Sequence, residues 1–253
     1  MDPARIAELL APFLQNAAVP IANTCHSEKR SDEEPVLSSA QLHCISIYID
    51  LLLRWNARIN LTAIRDPEEI VTRHFGESFF AARHLFQRGH REGHGLSRAD
   101  GLPRGERALA PEATAVVDLG SGAGFPGIPI KIWAPHISLT LVESNYKKAA
   151  FLREVARAIT LTNVDIQNVR AETLPQASFA VVTLRAVERF QSILPTAACL
   201  VAPGGRLALL IGSAQFSAAR SALPHLAWEE PEPVPLSRAR VVAVGHCTGL
   251  GPC

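Results

Sequence analysis

A glycine-rich segment between two apolar stretches carries the residues with the clearest chemical meaning in this chain. The segment VVDLGSGAGFPGIP contains two overlapping glycine patterns. One is G-x-G-x-x-G at Gly122, Gly124 and Gly127, which is typical of dinucleotide binding. The other places Asp118 two residues before Gly120, which is followed at alternate positions by Gly122 and Gly124. The two patterns suit ligands of opposite charge.

The carboxylate of Asp118 favours the second pattern. A glycine loop that leads into a helix N-terminus suits an anion, but a carboxylate at the end of the preceding strand would repel a pyrophosphate. S-adenosylmethionine carries a sulfonium and an ammonium group, and a nearby carboxylate attracts both. Glycines at 120, 122 and 124 let the main chain approach the amino-acid arm of such a ligand closely. The sequence therefore favours S-adenosylmethionine over NAD.

Further candidate site residues follow other apolar stretches that we predict to be strands. Glu143 ends the second stretch, where a carboxylate accepts hydrogen bonds from the ribose hydroxyls of either ligand. Ala171 and Glu172 follow the third, where we expect the adenine ring to lie. Arg185 ends the fourth, in TLRAV, and an arginine there suits a carboxylate, a phosphate or a base.

The residues around Arg185 also indicate the kind of acceptor. An Asn/Asp-Pro-Pro-aromatic run would indicate an exocyclic amine, and a cysteine would indicate carbon 5 of cytosine, but TLRAV contains neither. An acceptor such as guanine N7 has a free lone pair and no proton to lose, so its methylation requires only alignment. We expect Arg185 to position the reactants, with no general base.

Alternating strands and helices must hold these residues in place. The predicted strands are residues 115–119, 139–143, 164–169, 179–184 and 206–212, with helices after the glycine loop and at 145–159 and 190–200. This alternation predicts an α/β fold with a mostly parallel, doubly wound sheet. Ligands of such sheets bind beyond the carboxyl ends of the strands, which is where the candidate residues fall.

The first 87 residues show the helical spacing of apolar side chains, interrupted by a polar break. Asp66, followed by Pro67 and two glutamates, is a strong helix start, because the acid caps the helix and proline suits its first turn. The predicted helices span residues 4–22, about 37–55, and Asp66 to about Phe86. We predict a helical N-terminal region packed on the core, an exposed or disordered loop, and a catalytic core. These parts are residues 1–87, 88–113 and 114–253.

Composition bears on several classes of protein. Hydrophobic residues make up 47% of the 253 residues, yet no apolar run approaches the roughly 20 residues that cross a bilayer. The start of the chain lacks the features of a signal peptide, so we expect a cytoplasmic protein without a membrane partner. The five cysteines show no C-x-x-C spacing, which predicts free thiols and no metal site. The net charge of +1 neither demands nor excludes a nucleic-acid partner.

Taken together, these segments resemble the bacterial RsmG (GidB) family, whose members methylate guanine N7 in 16S ribosomal RNA. The matching stretches are LLLRWNARINLTAIRDPEEIVTRHFGES, VVDLGSGAGFPGIPIKI, LVESNYKKAAFLREVAR, VRAETL, VVTLRAV and APGGRLALLIG. The pairing of GSGAGFPGIP with ESNYKKAAFLREV is far more specific than a glycine pattern alone. The resemblance implies a Rossmann-like class I methyltransferase fold and S-adenosylmethionine as the cofactor.

The resemblance also implies roles for particular residues. The cofactor site would include Gly120, Phe125, Ala171, Glu172 and Arg185, beside Asp118, Gly122, Gly124 and Glu143 from the patterns above. The substrate side would include Asn60, Arg73, His74 and Ser78. Family members usually read Arg-His-x-x-Asp-Ser, whereas this chain has Glu77 in place of the aspartate. The implied partner is 16S ribosomal RNA or a precursor of the small ribosomal subunit.

Two other functions stay open at this point. An NAD-dependent oxidoreductase would explain the literal G-x-G-x-x-G, but it needs a hydride-transfer partner that TLRAV does not offer. A catalytically silent RNA- or ribosome-binding protein on a methyltransferase scaffold is the other alternative. The intact acid and glycine loop argues against it, because a silent relative has no need to keep a cofactor cradle.

Overall fold

The computed structural model describes residues 1–15, 37–86, 113–185 and 190–248. Within these residues an eight-stranded sheet forms the centre of the molecule. Its strands are β1 (Ala115–Leu119), β2 (Ser138–Val142), β3 (Val164–Gln167), β4 (Phe179–Arg185), β5 (Val201–Gly212), β6 (Leu226–Trp228), β7 (Glu232–Pro233) and β8 (Arg240–Cys247). The spatial order is β3-β2-β1-β4-β5-β8-β6, and β7 also pairs with β8.

Strands β1 to β5 pair with one another in the parallel direction, so their carboxyl ends meet at one edge of the sheet. In this register Asp118 of β1 lies beside Thr183 of β4. Strand β8 pairs with β5 in the antiparallel direction, and β6 and β7 each pair with β8 in the antiparallel direction. The mostly parallel, doubly wound sheet that the sequence predicts is therefore confirmed.

Helices cover both faces of the sheet. They are α1 (Pro3–Leu14), α2 (Ser39–Asn56), α3 (Pro67–Ile70), α4 (Glu77–Leu85), α5 (Gly127–Trp133), α6 (Tyr146–Ala158), α7 (Phe190–Leu200) and α8 (Ser213–Ala222). A π-helical segment, Val71–Gly76, joins α3 to α4, and a 3₁₀ turn spans Ala171–Thr173. Asp66 caps α3 by accepting a hydrogen bond from the Glu69 amide at 2.8 Å, which confirms the predicted helix start.

Two apolar clusters hold these layers together. Val116 of β1 belongs to a cluster with Leu10 of α1, Ile49 of α2 and Phe79 of α4, all fully buried. Val117, the next residue, belongs to the cluster under α7 and α8. Burial of one such side chain is worth about 1.5–3 kcal/mol. The N-terminal helices therefore share their core with one face of the sheet. The proposed boundaries at 87 and 113 stay a prediction.

Some predicted elements differ from the structure. Helix α1 ends at Leu14 and Gln15 is extended, so a continuous helix over 4–22 is wrong. Strand β5 begins at Val201, because a register shift against β4 accommodates the PGG turn inside the strand. The helical region predicted from Asp66 to about Phe86 ends at Leu85, in agreement with the prediction, but it is divided into α3, the π-helical segment and α4. Apart from residue 113, the predicted loop at 88–113 lies outside the described residues.

The thiol prediction holds only in part. Cys44 and Cys199 are free, but Cys247 at the end of β8 is disulfide-bonded, so the expectation of free thiols throughout is wrong. In the described part of the chain, each helix is too short or too polar to cross a bilayer. The same residues contain no cluster of three or more side chains suited to a metal ion.

Candidate active site

A cavity of about 690 Å³ lies at the carboxyl ends of β1, β2 and β4. One wall is the glycine loop after β1, and a second is the segment that begins with Glu143 after β2. The opposite side is formed by Thr62 and His74 from the N-terminal region and by Arg185 at the end of β4. The parallel sheet thus gathers residues from distant parts of the sequence at one edge.

Hydrogen bonds to the Glu143 carboxylate fix the conformation of the glycine loop. Its Oε2 accepts a hydrogen bond from the Gly122 amide at 2.9 Å, and its Oε1 accepts one from the Asn145 amide at 2.7 Å. Gly122 has a φ of 56°, and a Cβ added there would meet no atom nearer than 3.7 Å. The main chain at Gly122 therefore faces free space in the cavity.

The later glycines of this loop have a packing role instead. A Cβ on Gly124 would collide with Tyr48 Oη and would lie 2.7 Å from Ile128 Cδ1. A Cβ on Gly127 would lie 2.9 Å from Asp118 Oδ2. Two of the three glycines in the G-x-G-x-x-G match are thus explained by close packing, with no need for a pyrophosphate.

Asp118 supports the loop from behind. Its side chain is fully buried and does not line the cavity. Oδ1 accepts a hydrogen bond from Thr183 Oγ1 at 2.8 Å, and Oδ2 accepts one from the Gly127 amide at 3.3 Å. Burial raises the pKa of Asp118 to about 6, opposed chiefly by the hydrogen bond from Thr183. This placement does not support the expected direct contact between Asp118 and a methyl donor.

Arg185 is the buried cation of the site, with its side chain 10% exposed. Its Nη2 lies 3.2 Å from Glu77 Oε2 and donates to the Arg73 carbonyl at 2.9 Å. Glu77 Oε2 also binds Arg240 Nη2 at 3.1 Å. The longer acid, present where the family usually has aspartate, thus reaches two arginines. Arg185 Nε is buried and has no hydrogen-bond partner among the described residues.

His74 links Arg185 to the other wall of the cavity. Its Nδ1 lies 2.9 Å from Arg185 Nη2, and its Nε2 lies 2.7 Å from Thr62 Oγ1. Its ring stacks on Phe125, with centroids 4.8 Å apart. Burial, and then the neighbouring arginines, lower the pKa of His74 to about 3. The imidazole is therefore neutral at pH 7 and is unsuited to act as a general acid.

Comparison with known proteins decides between the alternatives. The family model described as rRNA small subunit methyltransferase G (GidB) matches residues 41–91 and 106–232. Ribosomal RNA small subunit methyltransferase G of Xylella fastidiosa (strain 9a5c) is 36% identical over 188 residues, covering 74% of this chain and 76% of that protein. This chain belongs to that family. The resemblance drawn from the sequence is confirmed.

A second relative has the same name, and solved structures show a weaker similarity. The protein of the same name from Halorhodospira halophila is 36% identical over 176 residues, covering 70% of this chain and 72% of that protein. Among solved structures, the match to P. horikoshii TYW2 in complex with MeSAdo covers 54% of this chain and 58% of the TYW2 chain, at 14% identity and a TM-score of 0.47. The family assignment does not depend on that structure.

The structure separates the predicted cofactor residues into two groups. Those that line the cavity are Gly120, Gly122, Phe125, Glu143, Glu172 and Arg185. Asp118, Gly124 and Ala171 do not line it. Asp118 lies behind the loop, Gly124 packs against Tyr48 and Ile128 within the loop, and Ala171 is buried in the apolar cluster with Val117. These three residues shape the site and do not form its surface.

The predicted substrate residues are also divided. His74 lines the cavity, whereas Asn60, Arg73 and Ser78 do not. Asn60 and Arg73 are exposed, and Arg73 forms an ion pair with Glu69 at 3.0 Å. Ser78 is fully buried and donates to the His74 carbonyl at 2.6 Å. Ser78 therefore supports His74 and is not placed to touch a ligand.

The sequence reasoning missed Asn56 and Thr62. Asn56 ends α2, and its Oδ1 accepts hydrogen bonds from the Leu61 amide at 2.9 Å and the Thr62 amide at 3.1 Å. Its Nδ2 donates to the Thr62 carbonyl at 2.9 Å. This turn brings Leu61 and Thr62 to the cavity. The stretch WNARINLT contains a signal for this turn, because Asn56 ends the apolar helix there. The same stretch also contains Asn60, and spacing alone does not show which asparagine supports the turn.

The residues of this cavity fit S-adenosylmethionine. Glu143 offers carboxylate oxygens at one end, and each of them has a lone pair left after accepting one amide hydrogen. Gly122 leaves room for the close approach of a ligand. At the other end Arg185 Nε is a buried donor that lacks a partner in the described part of the chain. It can therefore donate a hydrogen bond to a ligand carboxylate. The cavity thus offers acceptors for ribose hydroxyls and a donor for the methionine carboxylate.

Proposed function

We propose that this chain transfers the methyl group of S-adenosylmethionine to N7 of a guanine in 16S ribosomal RNA. Membership of the family makes it a ribosomal RNA methyltransferase that uses S-adenosylmethionine. The observation that supports the site is the unpaired, buried Nε of Arg185 beside the cavity. An oxidoreductase leaves the family membership unexplained, whereas a silent binding protein is separated from an enzyme only by the methyl-transfer assay below.

The cofactor is held by residues near the ends of four strands. Glu143 accepts hydrogen bonds from the ribose hydroxyls, the main chain at Gly120 and Gly122 borders the amino-acid arm, and Glu172 lies near the adenine end. Arg185 Nε binds the carboxylate or the incoming base. When bound there, S-adenosylmethionine supplies an electrophilic methyl group on its sulfonium.

The chain's own contribution to the reaction is alignment. Guanine N7 attacks with a lone pair and releases no proton, so neutral His74 is not needed as a base. Phe125 and His74 present stacked rings at the cavity, which suits a flat base. Glu77 offsets the charge of Arg185 at 3.2 Å, and this limits the repulsion of the cationic base that forms. Correct alignment alone accounts for large rate enhancements.

The substrate is 16S ribosomal RNA, either mature or within a precursor of the small subunit, and we place the reaction in the cytoplasm. Binding to RNA depends on contacts with phosphates. The exposed Arg73 lies next to His74 on the π-helical segment and is suited to such a contact.

Methyl transfer to small subunits from a strain that lacks this gene tests the proposal. We expect labelled methyl groups from S-adenosylmethionine to enter 16S ribosomal RNA. Arg185→Lys keeps a cation but removes the Nε donor, so the rate should fall at least about tenfold, as for the loss of a charge-assisted hydrogen bond. Arg220→Lys is the matched control, because Arg220 lies over Phe216 on α8, away from the cavity.

Calorimetry tests which cofactor the protein binds. S-adenosylhomocysteine should bind the wild-type protein and NAD should not. If NAD binds and S-adenosylhomocysteine does not, the cofactor assignment is wrong. If S-adenosylhomocysteine binds but no methyl group reaches RNA, the protein is a silent binding protein.

A further inference from the structure

The hydrogen bonds of His74 fix the position of its proton. Arg185 Nη2 lies 2.9 Å from His74 Nδ1, and a guanidinium is only ever a donor. Nδ1 must therefore accept, which means that it carries no proton. The low pKa of His74, about 3 as a result of burial and nearby arginines, keeps the ring neutral. A neutral ring without a proton on Nδ1 carries it on Nε2.

This tautomer determines what the Thr62 hydroxyl does. His74 Nε2 donates to Thr62 Oγ1 at 2.7 Å, and the Ile64 amide donates to the same oxygen at 3.1 Å. Both lone pairs of the hydroxyl oxygen are then occupied. The Thr62 hydroxyl can then form only one further hydrogen bond, as the donor of its own proton. Within the described residues no acceptor receives that proton, and Thr62 lines the cavity.

The position of Thr62 indicates which ligand receives this proton. In the sheet, β1 lies between β2 and β4, so Glu143 at the end of β2 and Arg185 at the end of β4 lie on opposite sides of the glycine loop. Thr62 is connected to Arg185 through His74. It therefore belongs to the side away from the ribose-binding carboxylate, where the acceptor base approaches.

We propose that Thr62 is a positioning and specificity residue that donates a hydrogen bond to O6 of the target guanine. This inference depends on the proposed function. Guanine presents N7 and O6 side by side as acceptors, whereas adenine presents N7 beside an amino donor. The N7 lone pair must stay free for the methyl group, so O6 is the acceptor for a neighbouring hydroxyl. A hydroxyl that only donates matches guanine and opposes adenine.

Substitution of Thr62 separates this role from packing and from cofactor binding. Thr62→Val keeps the shape of the side chain and removes the hydroxyl, and Thr62→Ser keeps the hydroxyl. We expect kcat/KM for small subunits to fall about 3- to 10-fold in Thr62→Val, as for the loss of one hydrogen bond. Thr62→Ser should keep most of the activity. Affinity for S-adenosylhomocysteine should stay within about twofold in both.

Thr72→Val is the matched control, because the Thr72 hydroxyl donates to the carbonyl of Glu68 in the preceding helix α3. The proposal is overturned if Thr62→Val keeps full activity, or if Thr62→Ser loses as much as Thr62→Val. It is also overturned if S-adenosylhomocysteine binding falls as far as RNA methylation, because the hydroxyl then serves the cofactor. A wild-type protein that binds S-adenosylhomocysteine but does not methylate RNA refutes the proposed function instead.

The tautomer is tested independently of RNA by ¹⁵N NMR of the histidine rings in the wild-type protein. We expect the His74 ring to be neutral with its proton on Nε2 from pH 5 to pH 8, and the Thr62→Val spectrum to lose the Nε2–H hydrogen-bond shift. A proton on Nδ1 would make Thr62 the donor to His74, which removes the basis of the inference whatever the activity of the variants.

Discussion

The glycine loop offers a sharp comparison between two neighbouring substitutions, Gly124→Ala and Gly122→Ala. Both glycines have a positive φ, 91° and 56° respectively, so an alanine is strained at either position. They differ in their surroundings. A Cβ at position 124 would collide with the Tyr48 hydroxyl and Ile128, whereas a Cβ at position 122 would face free space in the cavity.

The expected losses of stability follow from this geometry. Strain in the left-handed region costs about 1 kcal/mol at each position, and overpacking at Gly124 adds about 2 kcal/mol. At roughly 2–4 °C per kcal/mol for a chain of this size, Gly124→Ala lowers Tm by roughly 6–12 °C. Gly122→Ala lowers it by only about 2–4 °C but narrows the space for the cofactor.

Thermal melts and calorimetry with S-adenosylhomocysteine measure the two effects separately. We expect Gly124→Ala to lose mainly stability and Gly122→Ala to lose mainly affinity for S-adenosylhomocysteine. If Gly124→Ala melts at the wild-type temperature, or if Gly122→Ala binds as well as the wild type, the division of the loop into packing and ligand-facing glycines is refuted.

Two buried carboxylates give further predictions. Burial raises the pKa of Asp118 to about 6, above that of the unfolded chain, so the folded state binds this proton more tightly. Stability of the wild type relative to Asp118→Asn should therefore rise by about 2 kcal/mol as the pH falls from 7 to 4, measured by urea unfolding, and a difference that is constant with pH would contradict this. Glu77→Gln leaves Arg185 and Arg240 without their shared counter-charge and should cost about 3 kcal/mol. Glu69 is only half-buried and pairs with the exposed Arg73, so Glu69→Gln should cost less than about 0.5 kcal/mol, and equal losses in denaturant melts would refute the reasoning.

The parallel part of the fold was predictable because its strands are short apolar runs that end at glycines or at polar caps. AVVDL and FAVVTL are buried on both faces of the sheet and so read as continuous apolar segments. The antiparallel strand β8 was missed although RVVAVGHC contains the apolar run VVAV. It follows PEPVPLSR, a stretch rich in proline and charge that interrupts the alternation of strands and helices.

The cofactor side of the site was predictable in part. The glycine loop and Glu143 follow strands directly, so strand ends were enough to place them. The role of Asp118 depends on Thr183 of the neighbouring strand, at 2.8 Å, and this contact exists only in the folded sheet. Local sequence identifies an acid at a strand end but does not show which way its side chain faces.

The substrate side was less predictable because of the π-helical segment. A π-helix changes the angular spacing of side chains, so the positions of Arg73, His74 and Ser78 around the helix do not follow from a period of 3.6. His74 therefore faces the cavity while Arg73 and Ser78 do not. The role of Thr62 depends on the tautomer of His74, which follows only from the contact with Arg185.

The position of the transferred methyl group tests the central claim most directly. 16S ribosomal RNA from small subunits methylated in vitro by this protein can be reduced with borohydride and cleaved with aniline, a treatment that cuts the chain at 7-methylguanosine. We predict a new cleavage at one guanine, together with 7-methylguanosine in the nucleoside digest by mass spectrometry. A methyl group on an exocyclic amine, on a pyrimidine carbon or on no nucleotide would contradict a site that works by alignment alone.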